Sequence, residues 1–390
     1  MYFELNKNIK NFLKILIFII IFFYNINIFQ KYKNFFINMY LAYQINDIEK
    51  YLNFLNKDKS KFIKNFKISN NPKISIISPI YNRERYLSRF LRSIQYQKFN
   101  DIEIILVNDC SVDNTIKIIE NFKKKDKRIK LINIKKNKGT FISRNIGVLF
   151  SLGKYIILPD PDDIISKDIL SICYNQCEKY KYEMIKFIIH SSIAKRRSNN
   201  NILFENKVLY QPELFNKLYY VNNDILRLDF SVCNKFIKKE IYIKTLNSIN
   251  SFYLNQYLIS GEDQILNFML YKTAKSLYFL NVIGYYYIKS SISITNNLNK
   301  IFELHKKFIY IHLRFIFEYS KNNKYEKDIC NLFFSNSFNS INSIKLLSFD
   351  IIKYNFYKNI IEMYLNNDFI ADENKKVLKE ILIELKKNLK

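Results

Sequence analysis

Between residues 73 and 160, short β-branched apolar runs alternate with amphipathic stretches, and this alternation restricts the chain to few architectures. "KISIIS" (73–78), "IEIILVND" (102–109), "IKLINIK" (129–135) and "KYIILPD" (154–160) each read as a buried strand. "RERYLSRFLRSIQ" sets Leu87, Phe90, Leu91 and Ile94 on one helical face, "SVDNT" opens a second helix, and a third is expected near Ser143–Leu152. Strands and helices at this pitch predict right-handed βαβ units, hence an α/β fold with a mainly parallel sheet flanked by helices. Ligands of such sheets collect at the carboxyl ends of the strands. Those ends carry "SPIYNRE" (78–84), "NDCSVD" (108–113) and "DPDD" (160–163), which predicts one polar edge forming one site.

Glycine rules out two kinds of nucleotide site. The chain has five glycines, Gly139, Gly147, Gly153, Gly261 and Gly284, at neither G-x-G-x-x-G nor G-x-x-x-x-G-K-[ST] spacing. A dinucleotide-binding Rossmann enzyme and a P-loop ATPase both need that close backbone approach, so both are excluded. The acidic turn "LPDPDDIIS" suggests a different ligand. Asp160, Asp162 and Asp163 repel one another behind an apolar run unless positive charge sits between them. Carboxylates bind hard divalent cations, and such a cation neutralises a diphosphate. A simple strand-to-loop exit competes with this reading, as a turn and helix cap does for Asp109, Ser111 and Asp113.

With 390 residues and 48% hydrophobic composition, the chain can bury a substantial core in one large or two smaller units. Its formal charge of +27 suits an anionic partner, but the lysines are spread among Asn, Ile, Tyr and Phe as a biased coding sequence would also spread them. No helix-turn-helix, finger or aromatic RNA-reading motif accompanies the charge. The five cysteines, Cys110, Cys173, Cys177, Cys233 and Cys330, are odd in number, and His190, His305 and His312 lie outside zinc-finger spacing. Free, largely buried thiols are expected. "FLKILIFIIIFFYNINIF" (12–29) reads as a marginal membrane helix, left uncleaved because the first alanine is Ala42. Residues 1–30 are therefore an expected anchor and 31–70 a lysine-rich stem. Leu304, Phe308, Ile311 and Phe315 recur at helical spacing and open a C-terminal helical region, 299–390, whose default role is packing on the sheet.

The order of "SIISPIYNRERYLSRFLRSI", "IEIILVNDCSVDNT" and "NKGTFISRNIGVLFSLGKYIILPDPDD" resembles the family 2 glycosyltransferases of the GT-A fold over roughly residues 73–168. The likeness continues more weakly through "CNKFIKKEIY" (233–242), "SGEDQILNFML" (260–270) and "GYYYIKSSISIT" (284–295). This resemblance implies a GT-A (Rossmann-like) domain over 71–298 that moves a sugar from a nucleoside-diphosphate sugar, UDP being the expected carrier, to an acceptor hydroxyl with inversion. It implies that Pro79, Tyr81, Asn82, Glu84, Asp109, Asp113, Arg144, Asn145 and Asp160 hold the nucleotide sugar. Asp160 and Asp162 would form the DXD motif on Mn2+ or Mg2+, with Asp163 an alternative ligand. Asp263 would be the base that accepts the hydroxyl proton, with Glu262 as neighbour or substitute, although an N-cap would also put an acid there. Asn108 departs from the family, which often has a second acid at that place.

The acceptor, whether glycan, lipid or protein, would meet variable loops such as 195–232. The N-terminal helix implies a single-pass membrane location, in the Golgi or ER lumen of a eukaryote or on the cytoplasmic face of a bacterium, with no nucleic-acid partner. Two alternatives stand beside this reading: a catalytically inert glycosyltransferase-like binding module, and a basic nucleic-acid-binding protein.

Overall fold

The computed structural model describes residues 71–191, 206–211, 231–258 and 261–288, the short strands at 220–221 and 224–225, and a few single positions such as 214 and 315. The expected anchor (1–30), the stem (31–70), His305, His312, Cys330, most of the loops over 195–232 and nearly all of 299–390 lie outside the described residues. Among the described residues no helix is long and apolar enough to cross a membrane.

The first half of the domain forms as the alternation predicts. Strand β1 (Ile74–Ile80) leads to helix α1 (Leu87–Gln95), β2 (Ile102–Asn108) to α2 (Thr115–Lys125), and β3 (Ile129–Asn133) to α3 (Thr140–Leu149) and β4 (Tyr155–Ile157). β1 and β2 are buried along their whole length, which is why they read as continuous apolar runs. Alternate residues of β1 enter opposite layers. Ile76 joins Leu87, Phe90, Leu91 and Ile94 of α1 with Ile119 of α2, and Ile77 joins Phe141 and Val148 of α3. α3 lies so close to the sheet that a Cβ at Gly147 would stand 2.3 Å from Ile77 Cγ2.

Two boundaries differ from the sequence reading. α3 begins at Thr140 and ends at Leu149, earlier than the expected Ser143–Leu152, because the chain turns at Ser151–Gly153 to enter β4. β4 stops at Ile157 rather than reaching Asp160. Pro159 and Pro161 have no N–H to extend a ladder, so the acidic turn leaves the sheet early.

The expectation of a mainly parallel sheet holds only in part. The chain continues through β5 (Ile164–Ile165), α4 (Ile169–Tyr180), β6 (Met184–Ser191), β7 (Lys207–Tyr210), the small β8–β9 pair (Tyr220–Val221, Asp224–Ile225) and β10 (Lys235–Lys238). It then forms α5 (Lys239–Ser248), the single turn α6 (Ser251–Leu254), α7 (Glu262–Thr273) and β11 (Ser276–Tyr287). The described strands form a nine-stranded sheet in the order β3-β2-β1-β4-β10-β6-β11-β5, with β7 also on β11. β3, β2, β1 and β4 run parallel. β10 is antiparallel to both β4 and β6, and β5 and β7 are antiparallel to β11. The sheet is therefore mixed.

The reversal places the amino end of β10 beside the carboxyl end of β4, which brings Val232 to the polar edge. Helices cover both faces, with α1, α2 and α4 in one layer and α3, α5 and α7 in the other. Phe315 packs edge-on against Tyr253 and Phe268, at 5.2 and 5.6 Å between ring centroids, so this member of the expected C-terminal apolar stripe does pack on the domain.

Candidate active site

The loops after β1 and β2 are laced together. Asn82 N–H donates to Ser111 Oγ at 3.0 Å, and Val112 N–H donates back to Asn82 Oδ1 at 2.9 Å. Glu84 N–H donates to Asp113 Oδ2 at 3.1 Å, while the Asn114 backbone and side-chain amides both donate to Glu84 Oε2 at 3.0 Å. Asp113 Oδ1 also accepts from Thr115 N–H at the start of α2. The side chains of Asn82, Glu84 and Asp113, expected on the nucleotide sugar, are thus engaged in holding two loops in register. Asn82 tolerates its φ of 51° because asparagine is among the few side chains that enter the left-handed region readily.

Asp109 is buried, and its two oxygens accept from Lys138 N–H at 2.7 Å and Gly139 N–H at 2.8 Å. It ties the end of β2 to the start of α3. Pro79 is buried within β1, whereas the Tyr81 ring, at 44% exposure, stands at the rim of the edge. Asn145 Oδ1 accepts from the buried Tyr242 hydroxyl at 2.8 Å, locking α3 to α5.

The acidic turn and the Glu262–Asp263 pair meet around one cation. Arg144, on α3 and only 1% exposed, donates from Nη1 to Asp263 Oδ1 at 2.7 Å. The same nitrogen lies 3.6 Å from Glu262 Oε1, and Nη2 lies 3.5 Å from Asp160 Oδ1. Burial works against the Arg144 charge, but Asp263, Glu262 and Asp160 outweigh it and hold the guanidinium protonated above its ordinary value. Burial pushes the Glu262 carboxyl up to about 8, with Asp263 adding to the rise and Arg144 opposing it. Burial also pushes Asp160 up to about 7, against Arg144 and helped by Asp263 and Asp162. Asp160 nevertheless keeps 39% of its side chain exposed, so this acid opens outward. Gly261, at φ 78°, makes the sharp entry that sets Glu262 and Asp263 on the first turn of α7. Asp263 Oδ2 accepts from Val232 N–H at 3.2 Å, a contact supplied by the amino end of β10.

The three acids of the turn have separate fates. Asp162 faces Arg83, its Oδ2 3.7 Å from Arg83 Nε. Asp163, read as an alternative metal ligand, turns inward instead: it is buried, with Oδ2 accepting from the Tyr285 hydroxyl and Oδ1 from Ile288 N–H, both at 2.8 Å. The same hydroxyl accepts from Asp160 N–H at 3.0 Å. Tyr285 therefore staples the acidic turn to the end of β11. Burial and the nearby Asp160 raise the Asp163 carboxyl to about 8. Tyr285, Tyr242 and Val232 are not site candidates by sequence; the pointers are that Tyr285 lies in the quoted "GYYYIKSSISIT" and Tyr242 in the quoted "CNKFIKKEIY".

The mixed α/β sheet thus brings an acidic turn, a buried arginine and a second carboxylate pair together at its strand ends. The comparisons with known proteins add to this. Residues 75–246 match the family model described as Glycosyl transferase family 2. An uncharacterized glycosyltransferase of Haemophilus influenzae is 46% identical over 99 residues, 25% of this chain and 40% of that protein. The uncharacterized glycosyltransferase EpsJ of Bacillus subtilis is 27% identical over 225 residues, 57% and 63% of the two chains. The poly(ribitol-phosphate) beta-N-acetylglucosaminyltransferase TarS of Staphylococcus aureus is 26% identical over 218 residues, 55% of this chain and 35% of that one. The solved structure of S. aureus TarS 1-349 in complex with UDP shares the fold at a TM-score of 0.60 and 18% identity, covering 81% of this chain and 88% of that one. Over residues 75–246 the chain is thus similar to glycosyltransferase family 2. It spans 40%, 63% and 35% of the lengths of those three curated relatives.

Proposed function

We propose that the chain is a glycosyltransferase that moves a sugar from a nucleoside-diphosphate sugar, with UDP as carrier, to the hydroxyl of a glycan, lipid or protein acceptor. The observation that carries this reading is the meeting of Asp160 and Asp263 on the two ends of one buried guanidinium, although 103 residues separate them in the chain (263 − 160). A donor-side acid and a candidate base in one pocket are what direct displacement at an anomeric carbon requires. The acceptor oxygen bonds to that carbon, the bond to the diphosphate oxygen breaks, and Asp263 takes the hydroxyl proton, so the configuration inverts. The family and the curated name of the TarS relative support the reaction class.

The residues present fit a divalent cation in one particular way. Among the described residues no three His, Cys, Asp or Glu side chains gather as a metal cage. Asp160 and Asp162 are hard oxygen donors, and the anionic form of Asp160 is disfavoured until more positive charge arrives. Two carboxylates suffice for Mg2+ or Mn2+, which keep waters and take phosphate oxygens as further ligands. Asp160 and Asp162 would hold it, and when bound it would supply charge against the leaving diphosphate. Around it, Tyr81 offers a ring at the rim for the nucleotide, and the Asp109 anchor keeps α3 in place. Residues 12–29 attach the enzyme to a membrane in this reading, and fractionation of the full chain with and without them tests that part.

The test is a screen of nucleoside-diphosphate sugars with the full chain and Mn2+, reading donor hydrolysis and transfer. Asp263→Asn is expected to abolish turnover while donor binding is kept; turnover by Asp263→Asn at the wild-type rate would refute the reading.

A further inference from the structure

Arg144 does not occupy the place that a nucleotide ligand should. Its side chain is almost sealed from solvent and its terminal nitrogens face protein carboxylates, Asp263 at 2.7 Å, Asp160 at 3.5 Å and Glu262 at 3.6 Å. The best of these contacts fixes one oxygen of Asp263, and Val232 N–H fixes the other. Two partners from different elements leave this carboxylate little freedom to rotate. The helix that carries Arg144 is itself immobilised: Asn145 is locked to α5 through Tyr242, and the residues just before Thr140 are tied to Asp109 at the end of β2. A rigid helix anchored on the nucleotide side thus presents the group that aims the opposite side of the pocket. A planar fork meets acids from two elements through separate nitrogens at fixed angles, whereas a lysine ammonium presents its donors from one nitrogen.

From this geometry we infer that Arg144 is the positioning residue for Asp263, fixing that carboxylate for proton acceptance and linking it to Asp160, instead of contacting the nucleotide sugar. The inference rests on the proposed roles of Asp263 and Asp160. It makes Arg144 the link between the two halves of the site. Correct placement of the base would then follow from correct docking of α3 on the sheet.

Arg144→Gln and Arg144→Lys in the full chain test it, with three readouts: calorimetric binding of UDP in the presence of Mn2+, the split between kcat and donor KM, and a crystal structure of the glutamine variant. Arg144→Gln is expected to leave UDP affinity and donor KM unchanged, to lower kcat by about 100-fold, and to show Asp263 displaced from Val232 N–H. Arg144→Lys, which keeps the charge without the fork, should regain part of the lost kcat. A loss of UDP affinity with kcat preserved would make Arg144 a donor ligand and overturn the inference. If the glutamine variant does not fold, the same split in the lysine variant decides. If the wild-type chain transfers no sugar at all, the functional reading fails and the role in proton acceptance falls with it; the crystal structure then judges only the placement of Asp263 by Arg144, which an unmoved Asp263 overturns.

Discussion

Replacing Tyr285 with Phe removes one oxygen from the centre of the acidic turn and leaves the ring in the core. The ring is buried against the layer that holds Ile165, Ile169 and Phe187, so cavity formation contributes little and the hydrogen bonds decide the outcome. Two are lost: the hydroxyl donates to Asp163 Oδ2 at 2.8 Å and accepts from Asp160 N–H at 3.0 Å. An unsatisfied buried polar group costs about 1–3 kcal/mol, and because the Asp160 amide gains partial access to water, the total falls near 2–4 kcal/mol. In a folded unit of this size each kcal/mol lowers Tm by about 2–4 °C, so a fall of roughly 5–15 °C is expected. Thermal unfolding followed by circular dichroism measures it. The same loosening should weaken stabilisation by UDP and Mn2+, because Asp160 loses the anchor of its own backbone. Asp163→Asn is the companion variant. Asp163 accepts on both oxygens whereas an amide has one acceptor, so Asn should lower Tm but retain metal-dependent stabilisation. An unchanged Tm in Tyr285→Phe, or metal-dependent stabilisation abolished in Asp163→Asn, would refute the assignment of Asp163 as an internal brace.

Other consequences follow from the same packing and charges. Asp163 and Glu262 have folded-state values near 8, raised from ordinary values of 3.8 and 4.5, so the folded protein binds protons that the unfolded chain releases in between. Stability in chelator should therefore be full below about pH 4 as far as these two groups are concerned, and fall as pH rises towards 8. Denaturant midpoints across that range check the sign; a contribution that grows with pH, isolated by comparing wild type with Asp163→Asn, would contradict it. Gly147→Ala would press a methyl carbon to 2.3 Å from Ile77 Cγ2 at the α3–β1 contact. Overpacking of this kind costs about 1–3 kcal/mol, readable as a lower urea midpoint.

The parts of the fold that were legible are those in which burial leaves a local trace. β1 and β2 are covered on both faces and so appear as unbroken apolar runs, and α1 shows its buried stripe at Leu87, Phe90, Leu91 and Ile94. Strand direction leaves no such trace. "KFIK" of β10 looks the same whichever way it runs, and only the path of the chain around α4 and β6 makes it antiparallel to β4. The acids at the strand ends were conspicuous as a set, but which of them pack into the scaffold was not legible. Asp109, Asp113 and Asp163 spend their oxygens on neighbouring backbone N–H groups and on one tyrosine, whereas Asp160 and Asp263 share a guanidinium at the pocket.

A carboxylate that cages a loop and one that faces a substrate carry the same letter in the same kind of turn. What separates Asp163 from Asp160 is Tyr285, which lies 122 residues beyond the former and 125 beyond the latter. The acids proposed to react are therefore those left by subtraction. Once the acids consumed by the scaffold are removed from "DPDD" and "NDCSVD", Asp160 and Asp162 remain on one side of the pocket, Asp263 on the other, and Arg144 in contact with Asp160 and Asp263.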